Sequence, residues 1–203
     1  MEISEIVKTA RNVPWEEVRQ VCCESCSGIA DYLADLCSDD PQVRHRAYWR
    51  FDNHVVVQSG LFSGAFYIVP FIIELLRENI RSNRHNRELY NLLIELGIGC
   101  GTGDVWFSIA TEPFIYYLPD RSGTRWSLTE ACHNAVFAGW NVYYEDLMNP
   151  ASPNRVYALD LISALYRNNL VVRNTVMQQL VDREPHSEVG RLAAEYLAEE
   201  LYP

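Results

Sequence analysis

The sequence predicts an all-α protein: an α-solenoid of helical hairpins carrying one long irregular insertion, 98–124. Three observations lead there. Apolar residues recur every three or four positions from Asp40 to the C-terminus, the period of one helix face. Helix-start chemistry recurs too, as Asp40-Pro41, Ser127 with Glu130 three residues on, and Ser152-Pro153. Finally, Ala65-Phe66 with Pro70, Glu74 and Leu76 aligns without gaps to Val136-Phe137 with Asn141, Glu145 and Leu147, an offset of about two helical-repeat lengths. With 203 residues, 48% of them hydrophobic, the chain is long enough for one core, so a single domain over 1–203 is expected.

In chain order, Asn12 and Pro14 are expected to start a first helix, with Glu16 and Glu17 in its first turn, and Ser25, Ser27 and Gly28 to break it. Ile29, Leu33, Leu36 and Cys37 share a face that should pack on the helix begun by Asp40. In that helix Val43, Ala47, Phe51, Val55 and Gln58 form the core side. A second helix, kinked at Pro70 and running to Glu78, should pack back to back with it. Asn79–Asn86 reads as a polar connector, and Leu89, Leu92, Leu93 and Leu96 as a helix stopping at Gly97. Periodicity fails over 98–124, where Gly, Pro and Asp are frequent, and the rings there (Trp106, Phe107, Phe114, Tyr116 and Tyr117, with Trp126) are expected to cap the core. The capped helix at Ser127 should reach Leu147, Ser152-Pro153 should open another, and Asn169 should start a terminal hairpin through Val189, Ala193 and Leu197.

Asp40, Pro41, Val43, Arg44 and Ala47, with Ile68-Val69-Pro70-Phe71-Ile72-Ile73-Glu74-Leu75-Leu76 downstream, resemble the HEAT repeat, in particular a group of bacterial HEAT-like proteins. Where that group carries His-Gln-Gly before the second helix, this chain has Val57, Gln58 and Ser59. The resemblance implies that Arg44 stacks over an acidic loop of the next repeat. It also implies a protein-binding scaffold, as in an immunity protein that blocks a toxin, or an adaptor.

Composition excludes several function classes. Acids outnumber bases 27 to 17, a formal net charge of -10, and neutralising a phosphate backbone needs the reverse, so nucleic acid is not an expected partner, nor is a DNA-repair use of the HEAT-like fold. The apolar run from Val55 to Leu76 is broken by Gln58, Ser59, Gly60, Ser63, Gly64 and Glu74, which argues against a membrane span. The opening MEISEIVKTARN has no basic or apolar signal region, and a cytoplasmic location with reduced cysteines is expected. Cys22, Cys23 and Cys26 contain a Cys-x-x-Cys without a second ligand pair, so neither metal nor disulfide is expected. No His-Glu-x-x-His or Gly-x-Ser-x-Gly occurs.

One enzymatic alternative stands. Glu95-Leu96-Gly97-Ile98-Gly99-Cys100-Gly101-Thr102-Gly103 resembles the first motif of class I S-adenosylmethionine-dependent methyltransferases, with Leu92–Leu96 as its strand and Asp120 as the acid after a second strand. The helical spacing that follows opposes it, so no cofactor is expected. The preferred reading is a non-enzymatic protein-binding solenoid with a basic protein partner. Its candidate contacts are Asp39 and Asp40 at one inter-helix turn, Glu145 and Asp146 near another, and Asp104, Trp106 and Asp120 in the long insertion. Turns of a solenoid align along one edge, so these acids are expected to form one patch.

Overall fold

A computed structural model describes residues 1–19, 26–167 and 169–199. Within them the protein is mainly helical, with ten α-helices and two small three-stranded sheets; it is not all-α. The helix at the centre is α4, Ser63–Arg81, apolar on nearly every side, as a helix enclosed all round must be. It is packed by α1 (Ile3–Ala10), α5 (Arg87–Ile98), α6 (Leu128–Phe137), α7 (Trp140–Met148) and a sheet. This enclosure accounts for the long apolar run, and no helix among the described residues is long and apolar enough to cross a membrane. Pro70 lies inside α4, which continues past it.

The N-terminal expectation fails. The first helix is α1, with Ile6, Val7 and Ala10 buried, and Trp15–Glu17 form only a 3-10 turn. Trp15 is buried, donates its indole N–H to the Ala10 carbonyl at 2.7 Å and packs against Phe71, so a tertiary anchor fixes the backbone where Pro14 and the acids alone favour a helix. Most of the break expected from Cys22 to Gly28 lies outside the described residues.

Asp40 caps α3 (Pro41–Asp52) by accepting from the Gln42 N–H at 2.8 Å, as its sequence predicts. Ala47 and Phe51 are buried, but the helix stops before Val55. Val56–Val57 (β1) and Gly60–Leu61 (β2) form a hairpin whose two turn residues, Gln58 and Ser59, have φ of 50° and 64°. Two left-handed residues are what a tight hairpin turn demands. β3 (Cys100–Gly101) adds parallel to β2. Helix α3 packs on α2 (Ile29–Asp35) and α5, not back to back on α4.

Residues 98–124 are not an irregular loop. β4 (Asp104–Ala110) lies between β5 (Tyr116–Pro119) and β6 (Thr124–Ser127), antiparallel to both. Val105 and Phe107 point inward, with Trp106 outward. Tyr117 stacks on Phe66 at 4.4 Å and Phe114 meets Phe71 edge-on at 5.5 Å, so these two rings cap the core, whereas Trp106 and Trp126, expected to do the same, are exposed. Tyr67 ties the sheet to α4 by donating to the Trp106 carbonyl at 2.8 Å.

The helix expected to run unbroken to Leu147 is two helices, α6 and α7, divided at Ala138-Gly139. The alignment with α4 therefore has no structural counterpart: Phe66 is fully buried in one continuous helix, whereas Phe137 ends α6 at 39% exposure. The later helices follow the sequence. α8 (Arg155–Leu165) begins just after Ser152-Pro153; α9 (Leu170–Arg183) is capped by Asn169 and forms a hairpin with α10 (Glu188–Glu199).

Candidate functional site

Three helices converge where α5 ends. Gly97 allows it: a Cβ there would lie 2.9 Å from Leu165 of α8 and 3.3 Å from Val136 of α6. The approach leaves a groove of about 800 Å³ between the ends of α5 and α8 and one side of α6. Its wall includes Ile98, Trp126, Glu130, His133, Leu165 and Arg167.

Local chemistry fixes this wall. Ser127 caps α6, accepting from the Glu130 N–H at 3.4 Å and donating to its carboxylate at 2.6 Å, a variant of the capping box. Thr129 accepts from the Gly101 N–H at 2.9 Å, tying α6 to β3. One turn on, His133 Nδ1 lies 3.1 Å from the Gly97 carbonyl oxygen. A carbonyl only accepts, so Nδ1 carries a proton, and in the neutral tautomer with that proton Nε2 is an acceptor. The His133 ring stacks on Phe137, Phe137 on Trp140, and Trp140 on Tyr144. Tyr166 meets both Phe137 and Trp140 edge-on. Burial pushes the Tyr166 hydroxyl above its ordinary value, so it stays protonated at neutral pH. Four exposed large apolar residues, Ile98, Trp126, Phe137 and Leu170, belong to this region, Leu170 through an adjoining hollow that shares Ala164 and Arg167 with the groove.

No family model, no curated protein and no solved structure matches the chain. Its functional reading therefore rests on its own geometry.

The expected acidic contacts do not form one patch. Asp39 and Asp40 lie at the α2–α3 turn, where Asp39 pairs with Arg84 at 3.4 Å and Asp40 is occupied as a cap. That turn lies near the C-terminal part of α4, since Asn79 donates to Cys37 Sγ at 3.5 Å. Asp104, Trp106 and Asp120 do come together, in a second cleft of about 660 Å³ with Glu17, Arg19 and Arg121. Tyr67 places that cleft at the other end of α4, about 18 Å along the helix axis from Asn79. Asp104 is bound by Arg125, whose guanidinium sits 5.5 Å over the Trp106 ring. Hydrogen bonds from Ser122 hold the Asp120 carboxyl below its ordinary value. Glu145 is exposed on α7, but Asp146 is buried and accepts from the Tyr90 hydroxyl at 2.6 Å, so it is a core group and no partner contact.

The other sequence candidates resolve similarly. Arg44 does reach an acid at a neighbouring helix, lying 3.5 Å from Glu88 in the first turn of α5, and donates to the Ser38 carbonyl at 2.8 Å. In the glycine-rich stretch, Leu92–Leu96 is helix, not strand, and Asp120 follows an antiparallel strand, so the motif lacks the strand-to-loop setting that a nucleotide-type cofactor needs. Cys22 and Cys23 lie outside the described residues. Burial pushes the Cys26 thiol up to about 12 and Cys37 to about 11, values of inert, apolar-like thiols.

The sequence reading missed the groove. A signal existed: Thr129, His133 and Phe137 are spaced by four on a helix whose buried residues, Leu128, Ala131, Cys132, Ala135 and Val136, lie elsewhere, which leaves a ring on the exposed side.

Proposed function

We propose that this chain is a non-enzymatic protein-binding module, of the immunity-protein or adaptor kind, whose partner presents a basic surface. The observation that carries the reading is a run of exposed apolar residues at and beside one groove: Ile98 and Trp126 on its wall, Phe137 stacked on the wall's His133, and Leu170 in the adjoining hollow. Exposed rings beside a concavity are the usual anchors of protein interfaces, and apolar patches of this kind on a protein surface mark interaction sites. The net charge of -10 supports a basic partner by long-range steering. In this reading Asp39, Asp104, Asp120 and Glu145 act through that field, while the groove makes the contact. Membership of the HEAT-like helical repeats belongs to the same proposal, supported by the Asp40-Pro41 cap, the Arg44–Glu88 pair and the closing α9–α10 hairpin.

The test is capture from the native host with three proteins: wild type, Trp126→Ala/Phe137→Ala, and Asp39→Lys/Glu145→Lys. The expected result is a basic protein retained by the wild type, lost by the aromatic double variant and still bound, more slowly, by the charge reversal. A partner that the aromatic variant retains in full overturns the groove reading. For the immunity role, co-expression should rescue cells from a toxin encoded beside this gene; failure to rescue removes the inhibitor reading.

A further inference from the structure

We propose that the groove holds an arginine side chain of the partner, its guanidinium seated between the ends of α5 and α8; this rests on the docking reading above. Two helices bring their C-terminal ends to the groove, α5 through Gly97 and Ile98 and α8 through Ala164 and Leu165. Some of their terminal carbonyls are already taken, Gly97 by His133, Glu95 by the Gly99 N–H and Ala164 by the Arg167 N–H, but each helix C-terminus carries about half a unit of negative charge, so both ends favour a cation. The lining side chains add acceptors. His133 donates from Nδ1 to the Gly97 carbonyl, and in that neutral tautomer its Nε2 is an acceptor. Glu130 is held by Ser127 through Oε2, and among the described residues Oε1 has no donor. Trp126, 36% exposed on the same wall, offers a ring on which a planar cation can stack.

Among the described residues that stacking occurs three times, with Arg125 over Trp106 at 5.5 Å, Arg50 over Tyr32 at 4.9 Å and Arg173 over Tyr196 at 5.7 Å. Arginine fits better than lysine because its flat fork can meet separated acceptors while lying on a ring. The opposing feature is Arg167, an exposed cation on the groove wall just past the end of α8. It competes with the incoming guanidinium for the same carbonyl ends, so its charge should weaken binding.

The test is a titration of the full chain, 15N-labelled, with Nα-acetyl-arginine amide at low ionic strength, with the lysine and leucine analogues as controls. Arginine amide should give saturable shifts at the Trp126 indole N–H, at His133 and at the amides of Gly97 and Gly99. Lysine amide should bind more weakly and leucine amide not at all. Glu130→Gln, which keeps the cap, should weaken binding about tenfold, and Arg167→Gln should tighten it. The proposal falls if no saturable shift occurs, if the shifts map elsewhere, if lysine binds equally well, or if Arg167→Gln weakens binding. Should the arginine slot fail while capture of a partner still depends on Trp126 and Phe137, the docking reading survives alone. Loss of both results rejects the docking reading as well.

Discussion

Phe51 closes the end of α3 with its ring fully buried, edge-on to Tyr32 at 6.1 Å. Truncating it removes its dispersion partners and leaves a cavity that rigid neighbours fill only in part, so Phe51→Ala should cost about 3 to 5 kcal/mol in denaturant unfolding. A loss below about 1 kcal/mol places Phe51 outside the core. Glu95 makes a different demand. Burial raises its pKa; the Tyr48 hydroxyl, which donates to it, opposes the shift, and the neighbouring Asp52 carboxylate adds to it. The folded state thus binds this proton more tightly than the unfolded chain. Its contribution to stability is complete below the ordinary value of 4.5 and is lost as pH rises through the higher folded value. Glu95→Gln, which cannot ionise, should gain on the wild type between pH 4 and pH 7 in paired urea titrations. An unchanged difference between the two pH values shows that Glu95 carries no such linkage.

The β1–β2 hairpin shows local cost accepted for tertiary gain. Both Gln58 and Ser59 hold positive φ, which L side chains disfavour, yet the Ser59 carbonyl accepts from the Cys100 N–H at 2.8 Å and so recruits β3. Ser59→Gly relieves the strain at one of the two positions and keeps that backbone bond. It should raise stability by about 0.5 to 1 kcal/mol in thermal unfolding. A loss of stability instead indicates that the Ser59 side chain makes a contact worth more than the strain. At β4 the sheet depends on alternation, with Val105 and Phe107 turned to α4 while Trp106 faces out.

Across the whole molecule, charge and contact are separated. Loop acids at the two ends of α4 give a broad negative field, while the apolar groove lies beside α5, α6 and α8. Raising ionic strength from about 0.05 to 0.5 M should therefore slow association with a basic partner by about tenfold, because exposed charges are screened within a few ångströms at the upper value, and should change dissociation much less. A stopped-flow on-rate that ignores salt defeats the steering argument. Equal slowing of dissociation shows that charge pairs, not rings, hold the interface.

Short-range information was legible in the sequence. The caps at Asp40, Ser127 and Asn169 and the Leu89–Leu96 face depend on residues within one or two turns, the terminal hairpin on two helices adjacent in sequence, and each is present. What the structure alone decided involves residues far apart. Trp15 holds its segment as a 3-10 turn by reaching Ala10 and Phe71, and β3 is a strand because it pairs with Gly60 and Leu61. The aromatic stretch 98–124 becomes a sheet because Phe66 and Phe71 of α4 offer an apolar face to cover, a partner that no local window contains. The same reason hid the groove. Gly97 looks like a helix stop in sequence, whereas its hydrogen in place of a side chain lets α6 and α8 close on α5 and brings His133, Trp126 and Arg167 to one wall.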